Sequence, residues 1–419
     1  MAPRVLITAA ATFALALGAF ALLARGGGSH RAQPAQAALP SLPPPSASTD
    51  QRIAALQRTV RLQPRIDDGY TLLAAAYAQK VRETGDASFY NRAAGVLHQA
   101  LELDPRNAAA ITQRGALELS RHDFRGGLRD ALTARQLAPQ VDKPYGVLVD
   151  ALVELGRYGE AERALQQMVD RRPDLAAYAR VSYFRELHGD LDGARSALVR
   201  ALSAGGAAAE NVAYVDTLLS HVDLLRGRLR PAAREAREAL ARFPGYPAAG
   251  AALARVQVAR GDLRGAIARM RSVVAQLPLP EHVILLGETQ QGAGHVRAAR
   301  RTLALVGAER RLLASAGVNT DVELAIFEAD HGSPRAAVRL ARAAWAAAPS
   351  VRSADALGWA LTRSGRRAEG LRWAHRALAL GSKDPAFLAH AALAGDRAAG
   401  AAALRSPALS PLLRRELER

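Results

Sequence analysis

The chain of 419 residues carries 56 Lys and Arg against 39 Asp and Glu, a formal net charge of +17, and 49% of it is apolar. That apolar content argues against general disorder. With no cysteine in the sequence, disulfides, thiolate metal sites, a cysteine nucleophile and a lipid anchor on an N-terminal cysteine are excluded.

The chain begins with an apolar run, residues 5–24, which is broken only by two threonines and a glycine and is flanked by Arg4 and Arg25. As a helix the run would span about 30 Å, one hydrocarbon core. Its length favours an uncleaved single-span anchor, and a cleaved signal with Ala19-Phe20-Ala21 as a weak cleavage site stays open. With either interpretation, residues 1–25 predict that the rest of the chain is extracytoplasmic, membrane-anchored or secreted. The even flanking charge specifies the orientation weakly.

Residues 26–50 follow, with Gly26-Gly27-Gly28 first and Pro43-Pro44-Pro45 near the end. Such a composition cannot build a core. We expect a linker that is flexible at first and stiffer later, and that holds the remaining chain away from the membrane.

The rest of the chain is periodic. Seven glycines recur at a nearly constant interval, which is lengthened slightly on two occasions, and a small residue stands five positions after each. The glycines are Gly156, Gly189, Gly227, Gly261, Gly294, Gly332 and Gly365. A period of about 34 residues is typical of stacked helix pairs, in which neighbouring units bury one another's apolar faces.

The clearest unit runs from Asp142 to Pro173. Apolar residues at helical spacing predict two helices with Gly156 in the turn between them, where a left-handed backbone costs glycine little. Ala161 is small because the two helices touch there, and Pro173 ends the second helix.

The pattern resembles the tetratricopeptide repeat (TPR) family, most closely at Leu357-Gly358-Trp359-Ala360-Leu361 with Ala377 and Asp384-Pro385 after it. The resemblance implies an all-α solenoid that winds into a right-handed superhelix. We count about nine repeats within a solenoid of residues 51–405, with a leading half unit at 51–64, a closing half unit after 386 and a C-terminal cap at 406–419. The repeats span 67–105, 106–139, 140–173, 174–211, 212–244, 245–278, 279–317, 318–349 and 350–385.

Three segments depart from the period. The first repeat is longer than one period, with its extra residues around Glu83-Thr84-Gly85-Asp86, which predicts an elongated hairpin between its two helices. Two further insertions, at 203–211 and 307–319, are expected between units.

Short segments such as Phe243-Pro244-Gly245-Tyr246 also resemble a group of exported bacterial TPR proteins of unassigned activity. The family shares a scaffold and no common chemistry. Its resemblance therefore implies protein binding as the general function, with the partner open.

The sequence shows little sign of catalysis. The ten histidines are widely separated, and even the nearest two, His282 and His295, are too far apart for a short metal-binding motif. Gly292-Ala293-Gly294 lacks the preceding strand of a phosphate loop, and Gly332-Ser333-Pro334 lacks the second glycine of a nucleophile elbow. We expect no enzyme activity, no metal and no cofactor.

In TPR arrays the concave groove is lined by the first helix of each repeat, and the resemblance implies a set of partner-binding positions there. A solvated groove wall is the alternative for any single one. The predicted residues are Lys143, Asp150, Tyr183, Glu186, Tyr214, His221, Arg255, Glu288, Arg352, Asp355 and Trp359, with Glu281 and Gln291 beside them.

All three tryptophans lie in the last two full repeats. Trp345 and Trp373 fall on second helices and are expected in the core, whereas Trp359 falls on a groove position. Aromatic residues at such positions anchor partner chains, which makes this end of the array the preferred site.

The positive charge is carried almost entirely by arginine. The clusters are Arg226-Arg228-Arg230-Arg234-Arg237, Arg297-Arg300-Arg301 with Arg310-Arg311, and Arg363-Arg366-Arg367. Arginine binds carboxylate and phosphate with two hydrogen bonds, so docking to an anionic lipid or cell-wall polymer is the alternative function. Many of these arginines stand beside glutamates, and salt-bridged outer faces would explain them equally well. We expect no binding to nucleic acid, because the chain is predicted to be exported and lacks a recognised module.

Overall fold

The computed structural model describes residues 47–206 and 209–419, and within them every regular element is a helix. The predicted all-α class is confirmed. The helices are α1 (Thr49–Leu62), α2 (Asp67–Thr84), α3 (Ser88–Leu103), α4 (Ala108–Ser120), α5 (Phe124–Leu137), α6 (Lys143–Glu154), α7 (Tyr158–Arg171), α8 (Leu175–Leu187), α9 (Leu191–Ala204), α10 (Ala209–Leu225), α11 (Leu229–Arg242), α12 (Pro247–Ala259), α13 (Leu263–Gln276), α14 (Pro280–Gly292), α15 (Val296–Leu303), α16 (Val306–Ser315), α17 (Asp321–His331), α18 (Pro334–Ala347), α19 (Val351–Arg363), α20 (Arg367–Ala377), α21 (Pro385–Ala394), α22 (Arg397–Arg405) and α23 (Pro411–Leu417).

The predicted nine repeats appear as nine helix pairs, and the TPR-like solenoid is confirmed. In each pair the first and second helices pack on one another, and each pair packs on the next. The pairs are α2–α3, α4–α5, α6–α7, α8–α9, α10–α11, α12–α13, α14–α15, α17–α18 and α19–α20.

The repeated small residues lie where the two helices of a pair touch. Ala161, Ala194 and Ala266 have no exposed surface. At the last repeat a Cβ on Gly370 would lie 2.8 Å from the carbonyl oxygen of Gly358 on the paired helix. Six of the seven turn glycines have a φ between 70° and 89°, and Gly332 differs with a φ of −125°.

The insertions take forms that the period did not predict. The surplus of the first repeat lengthens α2 to 18 residues instead of forming a long hairpin loop. That helix ends at Gly85, whose φ of 68° is left-handed and whose N–H donates to Val81 O. The insertion at 307–319 is mostly helical too, because α16 occupies most of it.

The C-terminal segment extends the array further than expected. Residues after 384 form a tenth helix pair, α21–α22, where the sequence predicts a half unit. The short helix α23 then folds back onto α14, and Arg415 there donates a hydrogen bond of 2.9 Å to Gly292 O.

The solenoid curves until distant repeats touch. The backbone N–H of Val351, at the start of the ninth repeat, donates to the Tyr158 hydroxyl of the third repeat at 2.9 Å. Next to it, Arg352 lies 3.6 Å from Glu154 and 3.4 Å from Glu323, and so joins the third, eighth and ninth repeats. The concave face is therefore an enclosed interior and not an open groove.

Among the described residues, no helix combines the length and the apolar character that a bilayer crossing requires. The predicted anchor or signal at 1–25 and nearly all of the linker at 26–50 lie outside the described residues.

Candidate functional site

The inner face is built by the first helix of each pair, and it is far more buried than the outer face. Helix α19 buries every residue from Val351 to Thr362, whereas its outer partner α20 buries only Gly370, Ala374 and Ala377. The predicted groove positions lie on inner helices, so their burial decides what they can bind.

Six of the eleven predicted site residues line one cavity in the enclosed interior, with a volume of about 100 Å³. They come from helices α8, α10, α12 and α19, which are far apart in sequence. These residues are Tyr183, Glu186, Tyr214, His221, Arg255 and Arg352.

Most of the charges around this cavity are paired. His221 Nε2 lies 3.2 Å from Glu186 Oε1. Burial opposes protonation of His221, but the Glu186 carboxylate outweighs it and raises the pKa of the imidazole. Arg352 is held between Glu154 and Glu323, so its single positive charge lies between two carboxylates.

Arg255 is the exception on this inner face. Its Nε and Nη2 atoms are buried and have no hydrogen-bond partner within the described part of the chain. Burial lowers the pKa of its guanidinium, and the charge of Glu281 acts against that shift. Burial also raises the pKa of Glu281 to about 7, so this carboxyl is only partly charged near neutral pH.

Three other predicted residues do not line the cavity and belong to a buried network of polar side chains. Trp359 is 1% exposed, its Nε1 donates to Asp330 Oδ1 at 2.8 Å, and its ring stacks on His390 with centroids 4.4 Å apart. Asp355 Oδ1 lies 2.9 Å from His390 Nδ1. Glu288 Oε1 lies 3.3 Å from His331 Nε2. The expected exposed anchor at Trp359 is thus replaced by a packed ring, because closure of the solenoid covers this inner helix.

The two remaining predicted residues pair with near neighbours. Asp150 accepts two hydrogen bonds from Arg180, from Nε at 2.9 Å and from Nη2 at 2.7 Å. Lys143 Nζ lies 3.6 Å from Asp142. A partner-binding role for either residue stays a prediction.

Among the cavity residues that the sequence did not predict, four are titratable or aromatic. His282 lies among the neighbours of Arg255, and burial lowers the pKa of its imidazole to about 4. Lys383 and Asp384 directly precede α21 and Phe387 lies in its first turn, and closure of the array brings all three to the cavity. No local signal marks them, since they fall outside the groove positions of the nine-repeat register.

The other two tryptophans, which the sequence places in the core, pack against the edge of the core. Trp345 and Trp373 are half-buried, with ring centroids 4.7 Å apart in an edge-to-face contact, and Arg376 lies over both rings.

The three arginine clusters differ in their pairing. Arg226 contacts Asp192 and Asp223, and Arg366 contacts Glu369. The cluster on α15 and α16 has no acidic partner among the described residues. Its arginines Arg297, Arg300, Arg301, Arg310 and Arg311 are all exposed. Val296, Leu305 and Leu312 on the same segment are exposed by 42%, 47% and 59%.

One group of carboxylates has the spacing of a cation site. Asp216, Glu235 and Glu238 bring oxygens within 4.8 Å of one another. Arg242 Nε lies 2.7 Å from Asp216 and Arg234 Nη2 lies 2.8 Å from Glu235. Arginines therefore already supply the counter-charge that a metal would provide.

No family model matches the chain. A segment of 96 residues is 35% identical to the protein STIP1 homolog of Dictyostelium discoideum, over 22% of this chain and 17% of that protein. A segment of 112 residues is 30% identical to the human tetratricopeptide repeat protein 28, over 26% of this chain and 4% of that protein. The chain thus matches less than a fifth of the length of either relative.

Among solved structures, a thermophilic TPR protein of Thermus thermophilus, TTC0263, aligns with 20% identity and a TM-score of 0.36. The alignment covers 45% of this chain and 92% of that protein.

Proposed function

The chain is a tetratricopeptide-repeat protein, and from that premise we propose that it is a non-catalytic scaffold that binds a segment of a partner protein in its central cavity. The partner is a protein or peptide that the sequence does not name. Because the solenoid is closed, the segment enters the interior and does not lie along an open groove.

The observation that carries this proposal is the convergence of six groove positions on one cavity. In a solenoid that only needed to be stable, the inner positions would be filled by apolar side chains, because unpaired polar groups are costly to bury. Here tyrosines, a histidine and arginines surround a space instead. A pocket with aromatic walls and a few polar groups is the usual form of a binding site.

The proposal is tested by filling the cavity. Ala248 on α12 lines it and is only partly buried, and Ala275 on the neighbouring helix α13 is exposed to solvent. We expect Ala248→Phe to abolish capture of the partner from native cell extract by the tagged chain. Ala275→Phe is the matched control and should capture the same protein as the unmodified chain, in stoichiometric amount and at high salt.

Circular dichroism melting of Ala248→Phe must show a folded protein, so that loss of capture reports the cavity. If both phenylalanine variants capture the same proteins as the unmodified chain, the cavity is not the binding site. If nothing is captured by any of the three, the scaffold proposal itself fails.

A second function is favoured by a separate observation, the unpaired arginines and exposed apolar side chains on α15 and α16. A surface that combines cations with exposed leucines and valines is typical of proteins that lie on anionic membranes. We propose docking to an anionic envelope component, either lipid or cell-wall polymer, as the alternative to partner binding.

This alternative is tested by sedimentation with vesicles of phosphatidylglycerol and phosphatidylcholine. We expect Arg300→Gln with Arg301→Gln to weaken binding strongly, and about 0.5 M salt to release the protein, because exposed charges are screened within a few Å at that ionic strength. The control is Arg366→Gln with Arg367→Gln, since Arg366 is already paired with Glu369. Equal loss with both pairs would indicate attraction by net charge and no defined surface.

We also propose that the solenoid is extracytoplasmic. The support is the sequence of residues 5–24, whose length and apolarity suit an anchor or a signal. Protease treatment of intact spheroplasts should digest the solenoid, and protection until lysis would contradict export.

A further inference from the structure

The cavity contains a guanidinium, that of Arg255, with no salt-bridge partner among the described residues. A guanidinium that is buried without a counter-charge is expensive, and proteins normally pair such a group or leave it in water. In Arg255 two of the three guanidinium nitrogens are covered and have no hydrogen-bond partner among the described residues. The stability of the solenoid does not explain why this residue is an arginine.

The two unpartnered nitrogens form one edge of the guanidinium. Elsewhere in the same solenoid that edge binds carboxylates: Arg180 uses Nε and Nη2 to hold Asp150, and Arg114 uses the same two atoms to hold Asp130, both at 2.7 Å. A planar guanidinium edge matches the two oxygens of a carboxylate. Arg255 presents the same edge, and among the described residues no carboxylate lies within hydrogen-bond distance of it.

The neighbouring groups indicate what kind of anion fits. Glu186 is paired with His221, and Lys383 is followed directly by Asp384, which also lines the cavity. Among the described residues, no carboxylate lies within salt-bridge distance of Arg255, and Glu281 opposes its charge only from farther away. A single carboxylate would pair with Arg255, whereas a phosphate dianion would bring a second negative charge close to Glu186 and Asp384.

The apolar part of the lining completes the description. Tyr183, Tyr214 and Phe387 share the cavity with Arg255. Their rings would cover an apolar or aromatic body attached to the carboxylate.

We propose that Arg255 is the anion-recognition residue of the cavity and binds the carboxylate of an apolar ligand. This inference rests on the proposed function of the cavity and names the chemistry of its occupant. The covered Nε and Nη2 atoms reach the ligand when the guanidinium turns toward the open part of the cavity. The carboxylate belongs either to the C-terminal residue of a partner segment or to a small apolar acid.

The experiment compares probes that differ only in charge. Isothermal titration calorimetry of the whole chain with N-acetylphenylalanine should show binding, and the uncharged N-acetylphenylalaninamide should bind at least about tenfold more weakly, since it cannot make charge-assisted hydrogen bonds to the guanidinium. Arg255→Gln should remove the preference for the acid. Arg255→Lys, which keeps the charge but loses the planar edge, should retain a small part of it.

Two measurements keep the result interpretable. Arg271→Gln, at an exposed position on α13 outside the arginine clusters, is the control and should bind the acid as the unmodified chain does. Arg255→Gln should have an unfolding midpoint equal to or above that of the unmodified chain, because it removes an unpaired buried charge. If Arg255 had only a structural role, its replacement by glutamine would lower the unfolding midpoint.

Further probes distinguish the two sources of the carboxylate. A tripeptide ending in phenylalanine that binds more tightly than both its amide and 3-phenylpropionate indicates a chain end, and tighter binding of 3-phenylpropionate indicates a small acid. Equal affinity for acid and amide, no binding of the acid, or undiminished binding by Arg255→Gln would overturn the carboxylate assignment. If Ala248→Phe still blocks partner capture in that case, the proposed function stands without it.

Discussion

At the scale of single residues, the inner face is notable for polar side chains that are buried in hydrogen-bonded sets. Trp359, Asp330 and His390 form one such set, in which the indole N–H satisfies one oxygen of Asp330. Buried polar groups stabilise a fold only while each keeps its partner. Substitutions here should therefore cost more than their lost apolar area alone.

We predict that Trp359→Ala lowers the free energy of unfolding by about 3 to 5 kcal/mol, because it leaves a large cavity and removes the hydrogen bond to Asp330. Urea unfolding followed by circular dichroism measures this. Trp373→Ala is the matched control, since its half-buried ring should cost clearly less. Equal losses would mean that Trp359 is not enclosed as the structure shows.

Glu288 makes stability depend on pH. Burial, followed by the charge of Asp330, raises the pKa of this carboxyl well above its ordinary 4.5. The native state therefore binds a proton that the unfolded chain has released, and this contribution to stability is lost as pH rises from about 4.5 through the raised pKa.

We predict that Glu288→Gln gains stability relative to the unmodified chain as pH rises from about 5 to about 8, at a slope of up to about 1.4 kcal/mol per pH unit. Urea unfolding at several pH values gives the difference. Burial lowers the pKa of His331 to about 4, and the loss of stability that this causes as pH falls below 6.5 is present in both proteins. A difference that does not change with pH would show that Glu288 is ionised in the native state.

At the scale of elements, the same glycine turn joins the two helices in different repeats, but it packs against different neighbours. Gly156 and Gly261 occupy the same turn position, with φ values of 70° and 79°. A Cβ on Gly156 would lie 2.2 Å from Pro349 O, across the contact that closes the solenoid, whereas a Cβ on Gly261 would meet nothing within 4 Å. Comparison of the two positions therefore distinguishes the requirement for glycine that the left-handed backbone imposes from the requirement that tertiary packing imposes.

We predict that Gly261→Ala costs about 1 to 2 kcal/mol, which is the backbone strain of a left-handed alanine. Gly156→Ala should cost about 1 to 3 kcal/mol more, because the added methyl group overpacks the contact with Pro349. Chemical denaturation of the two variants side by side measures the difference. Identical costs would argue that the third repeat does not touch the end of the eighth repeat in solution.

At the scale of the whole molecule, closure of the solenoid determines which repeats lose stability when a substitution breaks a contact. In an open solenoid each repeat contacts only its neighbours, so a local defect spreads along the chain. Here Arg352 joins Glu154 to Glu323 across the interior. Removing the arginine leaves the buried Glu154 and the partly buried Glu323 without a counter-charge. Loss of one partner of a buried ion pair costs about 3 to 5 kcal/mol in comparable cases.

We predict that Arg352→Gln speeds native-state hydrogen exchange in α6 and α7 as well as in α17 to α19, although these segments are distant in sequence. Mass spectrometry of peptides from both regions measures it. Arg366→Gln, which breaks an exposed pair with Glu369, should change exchange only locally and cost about 0 to 1 kcal/mol. Faster exchange confined to the eighth and ninth repeats would contradict closure.

The sequence by itself determined the class of fold, the nine repeats up to residue 385, the turn glycines and the small contact residues such as Ala161. These features depend on interactions within one repeat and with the next repeat, so the periodic sequence pattern is enough to predict them. It also identified Arg255 and five further residues of the cavity, because a fixed register places the same positions of each first helix on one face.

Only the tertiary structure decided whether that face is open. The curvature of a solenoid accumulates from small rotations at every interface between repeats, and no local pattern reports their sum. For that reason the sequence predicted Trp359 as an exposed anchor where the structure packs it on His390, and it could not place Lys383, Asp384 and Phe387 at the cavity. The spacing of the repeats also did not specify that helix α16 occupies most of the insertion at 307–319, or that the extra residues of the first repeat lengthen α2.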